Sequence, residues 1–160
     1  DEIPSGLSCE ETIQRICSQD GIVYVPHPYD ENRAKTVLKE ECIRDNRSRI
    51  DCIECYNGRN ISDTYGLKQT EIAEKYELTS VIGSDAHTVF EIGRNYMMVN
   101  CMPDSPESFK KALENVTFHK EKCLKYCHKI TKIVKLLRLL KKGNFNEIYR
   151  IIKKRYRGTV

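Results

Sequence analysis

The apolar positions of the chain change period from block to block. Ser8 and Glu11 make an S-x-x-E pair that opens a helix. Ile13, Ile16 and Cys17 supply its apolar stripe, and Gly21 stops it. Ile22 to Val25 (IVYV) is a β-branched run of the kind a buried parallel strand uses. It ends at PHPYD, where two prolines forbid further pairing. Residues 30–49 are charged, with Val37, Leu38 and Cys42 marking a helix on the outside of the fold. Ile50 to Tyr56 (IDCIECY) predicts a second strand and NGRN the turn after it.

A helix over Leu67 to Tyr76 follows, with Ile72, Ala73 and Tyr76 on one face. Ser80 to Ile82 predicts a third short strand, ending in GSDAH, and Asn95 to Val99 a fourth. Ser105 caps a helix that has Pro106 at its first position. From His119 to Lys142 the pattern predicts one long helix, stopped by Gly143, and a second basic helix over Asn146 to Arg155. Helices alternating with strands imply an α/β fold with a parallel sheet.

Composition changes this picture in one respect. The 160 residues, 39% hydrophobic and 31% charged, suit one soluble domain with a real core. No apolar run approaches the roughly 20 residues that cross a bilayer. Lys120 to Arg157, however, hold fourteen Lys and Arg against two acids, a net +12, while the remainder carries −8. A basic tail on an acidic body suggests an anionic partner: nucleic acid, anionic lipid or an acidic protein surface. There are eight cysteines, and with no secretory pattern they read as thiols of a cytoplasmic protein, hyperthermophile cytosol being the setting that tolerates disulfides.

Polar groups follow each of the first three strands. His27 comes after the first, Asn57 and Arg59 after the second, Asp85 and His87 after the third. In a parallel α/β barrel such positions converge on one face, where the active site lies. Imidazole and carboxylate suit a divalent cation such as zinc, manganese or iron. In D-x-H both side chains reach one centre if the chain bends on leaving the strand, and Gly83 permits the bend.

VPHPYD, IECYNGRN and GSDAHT, in that order, resemble the second half of a PHP domain, the polymerase-and-histidinol-phosphatase superfamily of metallohydrolases. The resemblance covers about residues 1–100. It implies the carboxyl-terminal part of a distorted seven-stranded TIM-like barrel over 1–117, followed by a basic amphipathic helical extension over 118–160. It also implies a metal-dependent phosphoesterase that acts through a metal-activated water, with His27, Asp85 and His87 as metal ligands. No catalytic group beyond the metal ligands is expected. Arg59 would clamp a phosphate oxygen, Asn57 would hold substrate, a ligand or the strand end, and Glu54 would support the ligands from inside the barrel. The substrate would be a small phosphorylated molecule or a nucleotide. The family's opening H-x-H motif is absent, so the chain reads as the later part of a longer protein.

Two other readings stay open. One is a degenerate module that keeps the fold while its tail binds a membrane surface or nucleic acid; the other is a PHP-type nuclease. Cys52 and Cys55 point to opposite faces of a strand and read as packing rather than metal ligands. Cys123, Cys127 and His128 share a helix and read chiefly as buried groups. In the tail, Leu124, Cys127, Ile133, Val134, Leu136, Leu137 and Leu140 form a broad apolar stripe. It suits a helix packed on the body, with a membrane-surface helix as the rival.

Overall fold

The computed structural model describes residues 1–29, 38–60, 64–122 and 124–157. Helix α1, Cys9–Cys17, starts at Ser8, whose side chain accepts from the Glu11 amide while Glu11 reaches back to the Ser8 amide. The expected capping box is thus formed. Strand β1 is two residues, Tyr24–Val25, shorter than expected at its start, where the Val23 amide donates to the Asp51 carboxylate at 2.8 Å. Helix α2, Glu40–Asp45, lies in the charged stretch; Val37 falls outside the described residues. Strand β2, Cys52–Asn57, helix α3, Thr64–Lys75, and strand β3, Thr79–Gly83, follow as the pattern predicts.

The sheet order is β1-β2-β3, with both pairs parallel. Tyr24 pairs with Cys52 and Glu54 with Val81, and a register shift between Glu54 and Tyr56 lets Asn57 pair with Gly83. Alternation along the strands sorts the core. Val23, Val25, Ile53 and Cys55 pack with Ile13 of α1, Ile43 of α2, Ile72 and Ala73 of α3, and Tyr76 just after α3. On the opposite face Cys52 and Val81 pack with Leu113, Phe109 and Met97. Cys52 and Cys55 therefore sit in different layers. Burial pushes the Cys52 thiol up to about 11 and raises that of Cys55 too, as expected of packing groups rather than thiolate ligands.

The fold is mixed α/β, as expected, and among the described residues no closed barrel is seen: β1 and β3 are the outer strands of a three-stranded sheet. Three expectations need correction. Strand β4, Tyr96–Met98, does not extend that sheet. It pairs antiparallel with β5, Thr117–His119, after helix α4, Pro106–Leu113. His119, assigned to the start of the long helix, pairs in β5 instead, and helix α5 runs only over Lys125–Lys141. Third, Cys9 and Cys42 are not thiols but a disulfide joining α1 to α2. Helix α6, Phe145–Arg157, follows α5 through a turn at Gly143, whose φ of 64° is one glycine adopts without strain. Among the described residues no helix is long and apolar enough to cross a membrane.

Candidate functional site

Because β1, β2 and β3 are parallel, their carboxyl ends lie along one edge of the sheet. His27 follows β1, Asn57 ends β2, and Asp85 and His87 follow β3. The carboxyl edge of an α/β sheet is where ligands of such folds sit. His27 and Asp85 both have left-handed backbone, with φ of 29° and 47°. Non-glycine residues hold that conformation only when their surroundings impose it.

Asp85 and His87 are brought together. The His87 Nδ1 lies 3.7 Å from an Asp85 carboxylate oxygen and 2.6 Å from the Asp85 carbonyl oxygen. A carbonyl only accepts, so Nδ1 carries a proton in this contact. A ring nitrogen tied to an oxygen in this way is how a metal-binding imidazole is held in orientation. The His87 side chain is 43% exposed and accessible to a ligand. His27 does not join them in one cluster: among the described residues no three His, Cys, Asp or Glu side chains gather closely enough to hold a metal ion.

The loop that carries His87 is held from below by Glu91. One Glu91 oxygen accepts from the His87 amide at 3.0 Å and from the Thr88 amide and hydroxyl, each at 2.9 Å. The other faces the Arg59 Nε at 3.4 Å, in an ion pair whose side chains are 9% and 5% exposed. Arg59 also donates to the Thr131 hydroxyl and, at 3.2 Å, to Nδ1 of His128, both on α5. Guanidinium cannot accept, so His128 is the acceptor and is neutral in this contact. Burial and then the charge of Arg59 hold its pKa below the ordinary imidazole range. The guanidinium expected to meet phosphate therefore spends its donors inside the protein.

Asn57 is likewise committed. Its Nδ2 donates to Glu54 at 2.7 Å, and its Oδ1 accepts from the Arg59 amide at 2.9 Å. Glu54, 3% exposed, also accepts from the Tyr24 hydroxyl across the β1–β2 pair. Burial, then the Glu54 bond and charge, raise the Tyr24 pKa far above the phenol range, and Asp85 adds in the same direction. Tyr24 thus stays a neutral donor. The Glu54 carboxylate occupies the space over Gly83: a Cβ there would lie 2.8 Å from Glu54 Cδ and 3.2 Å from the Tyr24 hydroxyl. Gly83→Ala is expected to displace that carboxylate and cost about 1–3 kcal/mol in urea unfolding. In a Glu54→Ala background the same change should cost clearly less; equal costs in both backgrounds would refute this account.

Sequence reasoning missed Tyr24, Glu91 and Thr131, and read His128 chiefly as a buried group rather than a partner of Arg59. Glu91 had a signal: Thr88 and Glu91 form a T-x-x-E capping box on the short 3-10 turn Val89–Glu91. The others lie far from their partners in sequence and leave no local pattern.

Residues 67–117 match a family model described as PHP-associated. One relative, from Methanocaldococcus jannaschii and described as uncharacterized protein MJ0417, is 33% identical over 122 residues, which take in 71% of this chain and 52% of that protein. The chain thus spans about half the length of that relative. From Leu67 to Thr117, a stretch that includes the D-x-H loop, the chain carries the PHP-associated pattern, as expected of the carboxyl-terminal region of a PHP domain.

Proposed function

We propose that this chain contributes to a PHP-type metal-dependent phosphoesterase, with Asp85, His87 and His27 as ligands of a divalent cation. The three parallel strands would then belong to the later part of a TIM-like barrel. The observation that carries the reading is the D-x-H loop, where Nδ1 of His87 is tied to the Asp85 carbonyl and the His87 side chain is 43% exposed. What a cation supplies in such a site is activation of a water and neutralisation of phosphoryl charge. The protein's part is to fix the donors. Glu91 sets the loop, Asn57 and Glu54 set the end of β2, and the left-handed backbone of His27 and Asp85 turns both residues out of their strands.

The buried ion pair favours a positioning role for Arg59 over direct contact with phosphate. The substrate class this supports is a phosphate ester, either a small phosphorylated molecule or a nucleotide. A second reading, a module that keeps the fold without hydrolysis, draws on the pairing of only two of the three expected ligands.

Metal content separates the two. After dialysis against zinc or manganese and then buffer, elemental analysis is expected to find bound metal in the wild type. His87→Ala, folded by circular dichroism, should bind at least about a hundredfold more weakly, and hydrolysis of a chromogenic phosphoester should fall with it. A wild type that retains no metal, or a variant that retains as much, would sink the phosphoesterase reading.

A further inference from the structure

The arm formed by α5 and α6 combines two features that water alone does not explain. From Lys125 to Arg157 it holds twelve Lys and Arg and one acid, Glu147, a net +11. It also exposes large apolar side chains. On α5, Tyr126, Ile133, Leu137 and Leu140 recur at spacings of seven, four and three, which is one face of a helix, and are 46%, 58%, 58% and 46% exposed. On α6, Phe145, Tyr149 and Ile152 form a second such stripe, 66%, 63% and 46% exposed. Ile148 and Ile151, off that stripe, are half-buried, so α6 does have a sheltered side and the stripe is what remains outside. The exposed surface continues onto the turn after the D-x-H loop: Phe90 packs edge-on against Tyr126 at 5.9 Å, and Val89 and Ile92 are 74% and 70% exposed.

We propose that this arm, with the Val89–Ile92 turn, docks flat on an anionic lipid bilayer. Helices that lie in a bilayer interface carry an apolar face bordered by Lys and Arg, and the bases meet lipid phosphates while the apolar face enters the acyl boundary. Nucleic acid would satisfy the charge but offers its backbone phosphates to polar groups, leaving the aliphatic stripes in water. A second copy of the arm is disfavoured by like charge. Neither helix is long and apolar enough to cross a membrane, so the arm rests on the surface. The proposal does not depend on the metal site, and its test reads lipid binding alone.

The full chain is floated with vesicles of phosphatidylcholine alone and of phosphatidylcholine with an equal part of phosphatidylglycerol, at low and high salt. The expected result is at least about tenfold more protein on the anionic vesicles. Part of that binding should survive high salt and be lost in Ile133→Gln/Leu137→Gln. Both positions are exposed, so this variant is expected to keep wild-type circular dichroism. Absence of flotation with either vesicle overturns the proposal. So does a variant that floats like the wild type, or binding to single-stranded DNA that outcompetes the vesicles and is indifferent to the two substitutions; the last outcome would assign the arm to nucleic acid.

Discussion

Glu91→Ala is expected to lower the unfolding free energy by about 3–5 kcal/mol, the cost of removing one partner of a buried ion pair. The effect has two sources. Arg59, with a side chain 9% exposed, would keep its charge away from water with only neutral acceptors, Thr131 and His128, among the partners described for it on α5. The amides of His87 and Thr88 would also lose the carboxylate oxygen that accepts them both. Glu91→Gln keeps an acceptor for those amides but removes the charge, and should fall between wild type and alanine. Urea unfolding measures all three. A loss below about 1 kcal/mol for the alanine variant would place the pair among solvated surface ion pairs and refute the clamp described here.

Removing the Cys9–Cys42 bond should cost nearly as much. The cross-link spans a sequence separation of 33 and so holds a long loop closed in the unfolded chain. Chain-entropy reasoning gives about 3–4 kcal/mol for a loop of this size. The double variant Cys9→Ser/Cys42→Ser is therefore expected to unfold at lower urea than the wild type, and the wild type in strong reductant should unfold where the double variant does. If reductant leaves the wild-type midpoint unmoved, the bond is not formed in solution. The closed loop contains β1 and His27, so the same bond limits how far the first expected ligand can stray from the sheet.

Much of the parallel sheet was legible because its signals are local. The Ser8–Glu11 box, the β-branched run before PHPYD, and the alternation that sends Cys52 and Cys55 to opposite layers each occupy a few neighbouring residues. The closeness of Asp85 and His87 was legible for the same reason. What failed was long-range or very short. The β4–β5 ribbon has three residues a side, too few to show a period, and His119 was absorbed into a helix pattern. Cysteine spacing does not encode pairing, so Cys9 and Cys42 carried no mark of each other. The partners of Arg59 lie 69 and 72 positions away, and nothing near NGRN announces them. Tyr24 was read as a buried strand residue, which concealed that its hydroxyl crosses to Glu54. The left-handed backbone at His27 lies beyond what residue identity alone can specify.

Arg59 grips α5 only near its beginning. Cys127 there is fully enclosed, His128 and Thr131 take the guanidinium, and from Ile133 onward most of the helix faces outward. Order along this helix must therefore be graded rather than all-or-none. Its first turns share partners with the loop bearing His87, whereas its later turns and α6 enclose fewer side chains, so their amide protons are expected to exchange sooner than those of the sheet.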